Sequence, residues 1–358
     1  MTFSKVHPNF KINGIPISKD ELSEVAYSFI KEGKPYQESI GNFLLDWISP
    51  TDHIFVKTSG STGKPKTITL LKEHMRNSAR ATGEYFNLFS GNVCLLCLPC
   101  EYIAGKMMMV RALVLGLDIH ITEPNSKPLQ RVEKSKTFDF CAMVPLQVQA
   151  SLEELERIDK LIVGGARLSN EIRNKLSQRR MKAYETYGMT ETITHVAIRE
   201  IVSKPEQQPF QALPNVHFSL DERGCLVIEA PKVSLEKIVT NDMVELLSNT
   251  EFIWLGRYDN AINSGGIKLF PEIVEGKLQS FLNRPFMIGA IEDKVLGQKL
   301  ILVLETDNPD EIKIKDLNSV HSLEPYERPK NIVYLKEFIR TDTGKIQRDL
   351  TLKKALNN

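Results

Sequence analysis

Apolar positions along the chain follow two rhythms, and the change between them predicts the architecture. Ser18 and Glu21 stand at capping-box spacing ahead of a stretch of helical period that runs through Lys31, and a second helix is expected before Trp47. The run HIFV then leads straight into a Gly/Ser/Thr loop, which reads as a strand carrying a loop at its end. From Val93 apolar runs alternate with amphipathic segments: strand VCLLCLP, helix KMMMVRALVLG, strand LDIHIT, a helix before Lys136, strand FDFCAMV, helix PLQVQASLEEL, strand KLIVGG, helix LSNEIRNKLSQ and strand KAYETYG. Such alternation predicts a helix-covered, mainly parallel sheet, whose ligands sit beyond the carboxyl ends of the strands.

The rhythm changes after Val196. VHFSLDERGCLVIEA reads as two strands about a D-E-R-G turn, followed by mixed β sequence ending in FIWLGRYDN. Beyond Asp259 come helix PEIVEGKLQSFL, strands FMIGAIED and LILVLET, helix PDEIKIKDLNSV, strand KNIVYLK, and a terminal loop with a Lys-rich end. The fold class expected is α/β, with residues 1–257 forming a large N-terminal domain of mainly parallel sheet plus a mixed β region, and residues 258–358 a small α+β domain.

Composition narrows the function. With 46 basic and 45 acidic side chains and a net charge of +1, no global field favours nucleic acid or an anionic membrane, so an anionic ligand must be held locally. No run reaches the roughly eighteen apolar residues of a membrane span, and MTFSKVHPNF lacks the apolar core of a signal peptide, which predicts a cytoplasmic protein. Cys94, Cys97 and Cys100 form a C-x2-C-x2-C run inside an apolar strand, where residues three apart face opposite sides. They are read as buried apolar residues, and no metal site built from cysteine or histidine is expected.

Candidate chemistry begins at TSGSTGKPK, where Thr58, Ser59, Gly60, Ser61, Thr62, Gly63 and Lys66 make a donor-rich loop suited to phosphate oxygens. It is not a Walker A loop, because two residues rather than four separate its glycines, and alone it is also compatible with a surface turn. Tyr187, Gly188, Met189, Thr190 and Glu191 set a carboxylate beside a glycine at a strand end, where Glu191 could hold Mg2+. Asp242 and Arg257 suit ribose hydroxyls. Lys268, in S-G-G-I-K, and Lys345, in R-T-D-T-G-K-I-Q-R, follow glycines in flexible loops, from which a cation could reach a phosphoryl centre.

These motifs, in this order, resemble the adenylate-forming superfamily of acyl-CoA synthetases, luciferases and peptide-synthetase adenylation domains, from about Phe55 to the C-terminus. The resemblance implies an ATP site between a large N-terminal domain and a small mobile C-terminal one. The loop at 58–66 would wrap the β- and γ-phosphates, and Glu191 would bind magnesium. Gly165 and Ala166 would flank the adenine, with Tyr187 and Gly188 across the base, Met189 would belong to the ATP site, and Thr190 would join Glu191 among the catalytic residues. Asp242 and Arg257 would take the ribose, Asp259 would be the hinge, Lys345 would complete adenylation, and Gly265, Gly266 and Lys268 would line the thiol tunnel for CoA.

Three departures stand out: only 57 residues precede the phosphate loop, Asp242 lies in T-N-D rather than T-G-D, and Ile339 replaces a proline before Arg340. The compact chain, with Y-I-A-G-K-M-M and Y-G-M-T-E-T, looks most like the short o-succinylbenzoate-CoA ligases of menaquinone biosynthesis. On that likeness Lys106 or Arg111 would meet the acid's second carboxylate, and Thr194 and His195 would line the acyl pocket. The expected small-molecule partners are ATP, Mg2+, CoA and the carboxylic acid, with homodimer formation left open. Another aryl- or fatty-acyl-CoA ligase, a carrier-protein-loading adenylation enzyme and a silent nucleotide-binding relative remain alternatives.

Overall fold

The computed structural model describes residues 6–57, 66–202, 208–282, 284–308, 312–341 and 346–357. Helix α1 (Leu22–Lys31) follows the reciprocal box between Ser18 and Glu21, whose backbone-to-side-chain contacts measure 2.8 and 3.3 Å. Helix α2 (Pro35–Ile48) opens on a proline, whose missing N–H is no loss in a first turn, and buries Phe43, Leu44 and Trp47.

The strand before the Gly/Ser/Thr loop does not feed the parallel sheet. Among the described residues His53–Lys57 pairs only with Thr67–Leu71, as an antiparallel two-stranded sheet of its own. The reason lies in its alternation: Ile54 and Val56 are buried while Phe55 is exposed, so the strand has one dry face rather than two. Helix α3 (Lys72–Phe86), not anticipated from the sequence, follows, and its buried Lys72 ammonium donates to the Ser49 carbonyl at 3.1 Å, tying the hairpin to the end of α2.

The parallel core is as predicted. Strands Asp118–Ile121, Val93–Leu96, Phe138–Met143, Ile158–Val163 and Lys182–Gly188 lie side by side in that order, all parallel. Helices α4 (Ile103–Leu115), α5 (Pro145–Ala150) and α6 (Asn170–Ser177) form their crossovers. The helix expected before Lys136 is only a 3-10 turn, Pro128–Arg131, because two prolines and few apolar residues leave that stretch nothing to propagate. Helix α5 likewise gives way to a 3-10 segment, Leu152–Arg157. Cys94 and Cys100 pack into the core on one side of the sheet and Cys97 into that on the other, so they are buried on opposite sides as expected, although the strand ends at Leu96 and Cys97 and Cys100 follow it. Burial pushes the Cys100 thiol up to about 12.

At Lys182–Gly188 the sheet changes character. His195–Glu200 pairs antiparallel with it, and Phe210–Ala212, Glu251–Arg257, Ile238–Ser248, Cys225–Glu229 and His217–Leu220 continue outward, making thirteen strands among the described residues with the short pair Lys11–Ile12 and Ile15–Pro16 at the far edge. The D-E-R-G turn is present, with Gly224 at φ +80° and the Asp221 carboxylate accepting from the backbone of Arg223 and Cys225.

After Arg257 the chain builds a second sheet from Ile262–Ser264, Ile267–Leu269, Phe286–Asp293, Gly297–Glu305 and Asn331–Leu335, backed by α7 (Pro271–Leu278) and α8 (Arg348–Leu356). Leu278, Leu300 and Leu302 centre a core that shares no residue with the first sheet's. Of the helix expected at PDEIKIKDLNSV, residues 309–311 lie outside the described residues and the rest holds a 3-10 turn, Ile314–Ser319, whereas the Lys-rich end, given no conformation from the sequence, is helical because Thr351, Leu352 and Ala355 give it an inward face. Among the described residues no helix is long and apolar enough to cross a membrane.

A buried ion triad sits where the two halves of the large sheet meet. Glu185 accepts from Arg173 of α6 at 2.7 Å and from Arg199 of the antiparallel neighbour at 2.6 Å. Burial alone would raise the Glu185 carboxyl, but Arg199 and Arg173 outweigh it and hold it below its ordinary value. With a depressed folded pKa, its contribution is present above the unfolded value and lost as pH falls through the folded one. Glu185→Gln is therefore expected to destabilise the chain by about 3 kcal/mol at pH 7, leaving two guanidiniums uncompensated, and the deficit relative to wild type should shrink in thermal melts taken toward pH 4.

Candidate active site

Four of the residues singled out in the sequence converge at one strand end. Asp242 and Arg257 are register partners on adjacent antiparallel strands. The Tyr187 hydroxyl donates to Asp242 Oδ2 at 2.7 Å, and Arg257 approaches Oδ1 at 3.7 Å and the Asp259 carboxylate at 3.8 Å. A residue not anticipated completes the group: the Trp254 indole N–H donates to Asp242 Oδ1 at 3.1 Å. Burial, and then the Asp242 charge, push the Tyr187 phenol well above its ordinary value, so it stays a neutral donor. Asp242 is thus a buried carboxylate, held by two hydrogen-bond donors and a nearby guanidinium from three strand positions, with acceptor capacity to spare for ligand hydroxyls.

The corner beyond Tyr187 is tightly folded. A side chain at Gly188 would lie 2.1 Å from the Thr194 carbonyl, so only glycine admits the return of the chain there. Buried Ile193 adopts φ +65°, a strained conformation for a β-branched residue, while Thr192 Oγ1 accepts from the Met189 N–H at 2.9 Å and donates to the Thr194 carbonyl at 2.6 Å. This fold leaves the Glu191 carboxylate exposed at the carboxyl end of the strand, with Thr190 half-buried beside it. An exposed carboxylate in that position fits the oxygen-rich, partly hydrated surroundings of magnesium. On the neighbouring parallel strand, Gly164 lies close to Thr186 Oγ1, and Gly165, at φ +85°, turns the chain toward exposed Ala166.

Arg111, on α4, is 1% exposed. Its guanidinium meets Thr194 Oγ1 and Met108 Sδ, each at 3.5 Å, and Nε has no partner. No carboxylate pairs with it among the described residues, and burial lowers it to about 10. The contacts beyond it run in one direction. Thr82 Oγ1 donates to the Ser78 carbonyl at 2.9 Å, so it accepts from His195 Nε2 at 3.3 Å; His195 Nδ1 is then an acceptor for the Thr194 hydroxyl at 3.4 Å, and Thr194 turns a lone pair to Arg111. Burial, with Arg111 adding to it, lowers His195 well below its ordinary value and keeps the ring neutral. Lys106 is not part of this group. Five residues away on the helix, about 140° around its axis, it places its ammonium 5.0 Å over the Phe43 ring of α2.

In the second unit, Gly265 and Gly266 form the exposed turn between two short strands, with φ of 59° and 81°. The Lys268 ammonium lies 4.8 Å over the ring of Tyr258, which neighbours Asp259 and carries the Arg223 guanidinium at 5.2 Å. Residues 58–63 and Lys345, expected to meet the phosphates, lie outside the described residues, but the residues flanking both segments do not. Lys57 pairs with Thr67, and Lys66 is exposed beside that pair. Arg340 bridges Ile346, Arg340 forks onto Glu305 at 2.6 and 2.8 Å, and Arg348 forks onto Glu275 at 3.2 and 2.5 Å.

The fold and this strand-end corner define an AMP-binding enzyme. The profile of that description matches residues 15–226, and the chain belongs to that family. It is 34% identical to the acyl-CoA synthetase (AMP-forming)/AMP-acid ligase II-like protein of Dyadobacter fermentans over 93% of this chain and 98% of that one, with a TM-score of 0.61. Within the family it is an acid–thiol ligase of the acyl-CoA type. The 2-succinylbenzoate–CoA ligase of Listeria monocytogenes is 24% identical across 94% of this chain and 75% of its own length. The O-succinylbenzoate coenzyme A synthetase of Bacillus subtilis, solved with ATP and magnesium, shares the fold at a TM-score of 0.71 and 19% identity, over 83% of this chain and 69% of that one.

Trp254→Phe keeps the ring and removes the donor to Asp242. Isothermal titration with Mg·ATP should show a Kd about ten-fold weaker, the worth of roughly 1.5 kcal/mol for one hydrogen bond to a charged group.

Proposed function

We propose that this chain converts o-succinylbenzoate, ATP and CoA into o-succinylbenzoyl-CoA, AMP and pyrophosphate through an acyl-adenylate. The observation that carries the choice of acid is Arg111, a buried guanidinium with no carboxylate partner among the described residues, next to Thr194 and His195. An uncompensated buried cation is costly, and an anion brought by the substrate would offset it. An acid with two carboxylates spends one on the reaction and keeps the other for that role. The acid named for the Listeria relative is of this kind.

In this reading residues 1–257 and 258–358 are the two domains. The loop at 58–66 grips the β- and γ-phosphates, Glu191 holds Mg2+, Gly165, Ala166, Tyr187 and Gly188 enclose the adenine, and Asp242 with Arg257 takes the ribose. The succinyl carboxylate attacks the α-phosphorus and pyrophosphate leaves, while Lys345 offsets the charge building on the phosphoryl oxygens. The smaller domain then turns about Asp259 and brings Gly265, Gly266 and Lys268 to the cleft. The CoA thiolate attacks the carbonyl of the mixed anhydride, the carbonyl–phosphate bond breaks, and AMP departs. Separating the two steps between poses keeps water from the adenylate.

Pyrophosphate release measured with CoA present should be fastest with o-succinylbenzoate among aryl, keto and fatty acids; a preference for a fatty or monocarboxylic acid would refute the assignment. Arg111→Gln should lower kcat/KM for o-succinylbenzoate by about a hundred-fold, the scale of a lost charge-assisted contact, and change benzoate turnover little. Lys345→Ala should lose adenylation far more than thioester formation from supplied acyl-adenylate, and equal losses would remove Lys345 from the first step.

A further inference from the structure

Helix α7 carries a glycine in its interior, where alanine would ordinarily be favoured by about 1 kcal/mol. The space explains it. A Cβ on Gly276 would lie 2.8 Å from Nη2 of Arg167 and 3.2 Å from its Cζ, so the glycine is a notch that seats a guanidinium. Arg167 follows Gly165 and Ala166 directly, and from the notch it donates to the Glu272 carbonyl of α7 at 2.6 Å. Asn170, one turn on, donates to the Gly276 carbonyl at 3.0 Å, and its own N–H, an orphan of the first turn of α6, finds Gln279 Oε1 at 3.4 Å. On the other side of the same helix segment, the Glu272 carboxylate accepts from Asn260 at 2.5 Å, next to Asp259.

We infer that Arg167 is a positioning residue that fixes the turn at 164–167 against α7, so that nucleotide binding at that turn and docking of the smaller unit strengthen each other. The inference rests on the reading of Gly165 and Ala166 as adenine neighbours. Coupling of this kind is reciprocal: if the docked helix steadies the turn for ATP, ATP must steady the docked helix by the same factor.

The test uses the full chain and Mg·ATP. Gly276→Ala fills the notch without touching the cleft and should weaken the Kd for Mg·ATP about five-fold, the lower range of such couplings, without lowering the melting temperature. Arg167→Ala should do the same, Arg167→Lys should recover part of the loss, and the double variant Arg167→Ala/Gly276→Ala should be no worse than Arg167→Ala, since the methyl then enters vacated space. In hydrogen exchange, Mg·ATP should slow residues 271–282 in the wild type and not in Arg167→Ala. Additive losses, an unchanged Kd in both single variants, or ATP protection that survives Arg167→Ala would overturn the inference while leaving the proposed function intact. A wild type that binds no Mg·ATP would remove the nucleotide reading, and this inference with it.

Discussion

The Glu185 carboxylate is the point on which the rest of the site is hung. It joins α6, the last parallel strand and the first antiparallel one through two guanidiniums, at the place where the sheet changes direction. Two residues further along the same strand Tyr187 reaches Asp242, and three further Gly188 receives the returning chain at Thr194. A buried triad with two cations and one anion is a poor source of net stability, since desolvation consumes much of the attraction. What it supplies here is register. Slipping either strand by one residue would turn Glu185 or Arg199 to the opposite face and strand a charge, so the antiparallel half of the sheet has one energetically acceptable alignment on the parallel half.

The same helix carries that alignment outward. Arg173 also donates to the Asn170 side chain at 3.4 Å, and Asn170 reaches α7 of the second unit. Arg167 lies just before α6 and ends in the Gly276 notch. A turn at the end of one parallel strand is therefore held by the ion triad behind it and by a helix of the second unit in front. The positions of that turn and of the second unit are not independent quantities in such a structure.

What could be read from the sequence divides along physical lines. The parallel strands were legible because strands covered on both faces must be apolar throughout, and the loop motifs because turns with positive φ or close backbone approach tolerate few residue types. Gly188 and Gly165 are instances. Strand His53–Lys57 was legible as a strand but not as a hairpin, since one strand's pattern does not state its partner. The lost helices before Lys136 and at residues 312–319 had period without enough apolar surface, whereas α8 had three inward residues hidden among lysines. Trp254, the strain at Ile193 and the notch at Gly276 depend on contacts between distant segments, which no local pattern encodes. The choice between Lys106 and Arg111 was of the same sort. Both are cations on one helix, and only the packing shows that one faces an aromatic ring and the other a threonine beside a neutral histidine.

A second kind of brace flanks residues 342–345, the segment that carries Lys345. The Arg340–Glu305 fork precedes that segment in the chain and the Arg348–Glu275 fork follows it, and Glu305 also accepts from the Phe338 N–H at 2.6 Å. The hydrogen bond from Arg340 holds the Glu305 carboxyl below its ordinary value, so the brace stays ionised through neutral pH and yields only on acidification. Bidentate pairs restrict orientation as well as distance. Both ends of the segment are therefore fixed in direction, which is the constraint that the proposed role of Lys345 would require of them.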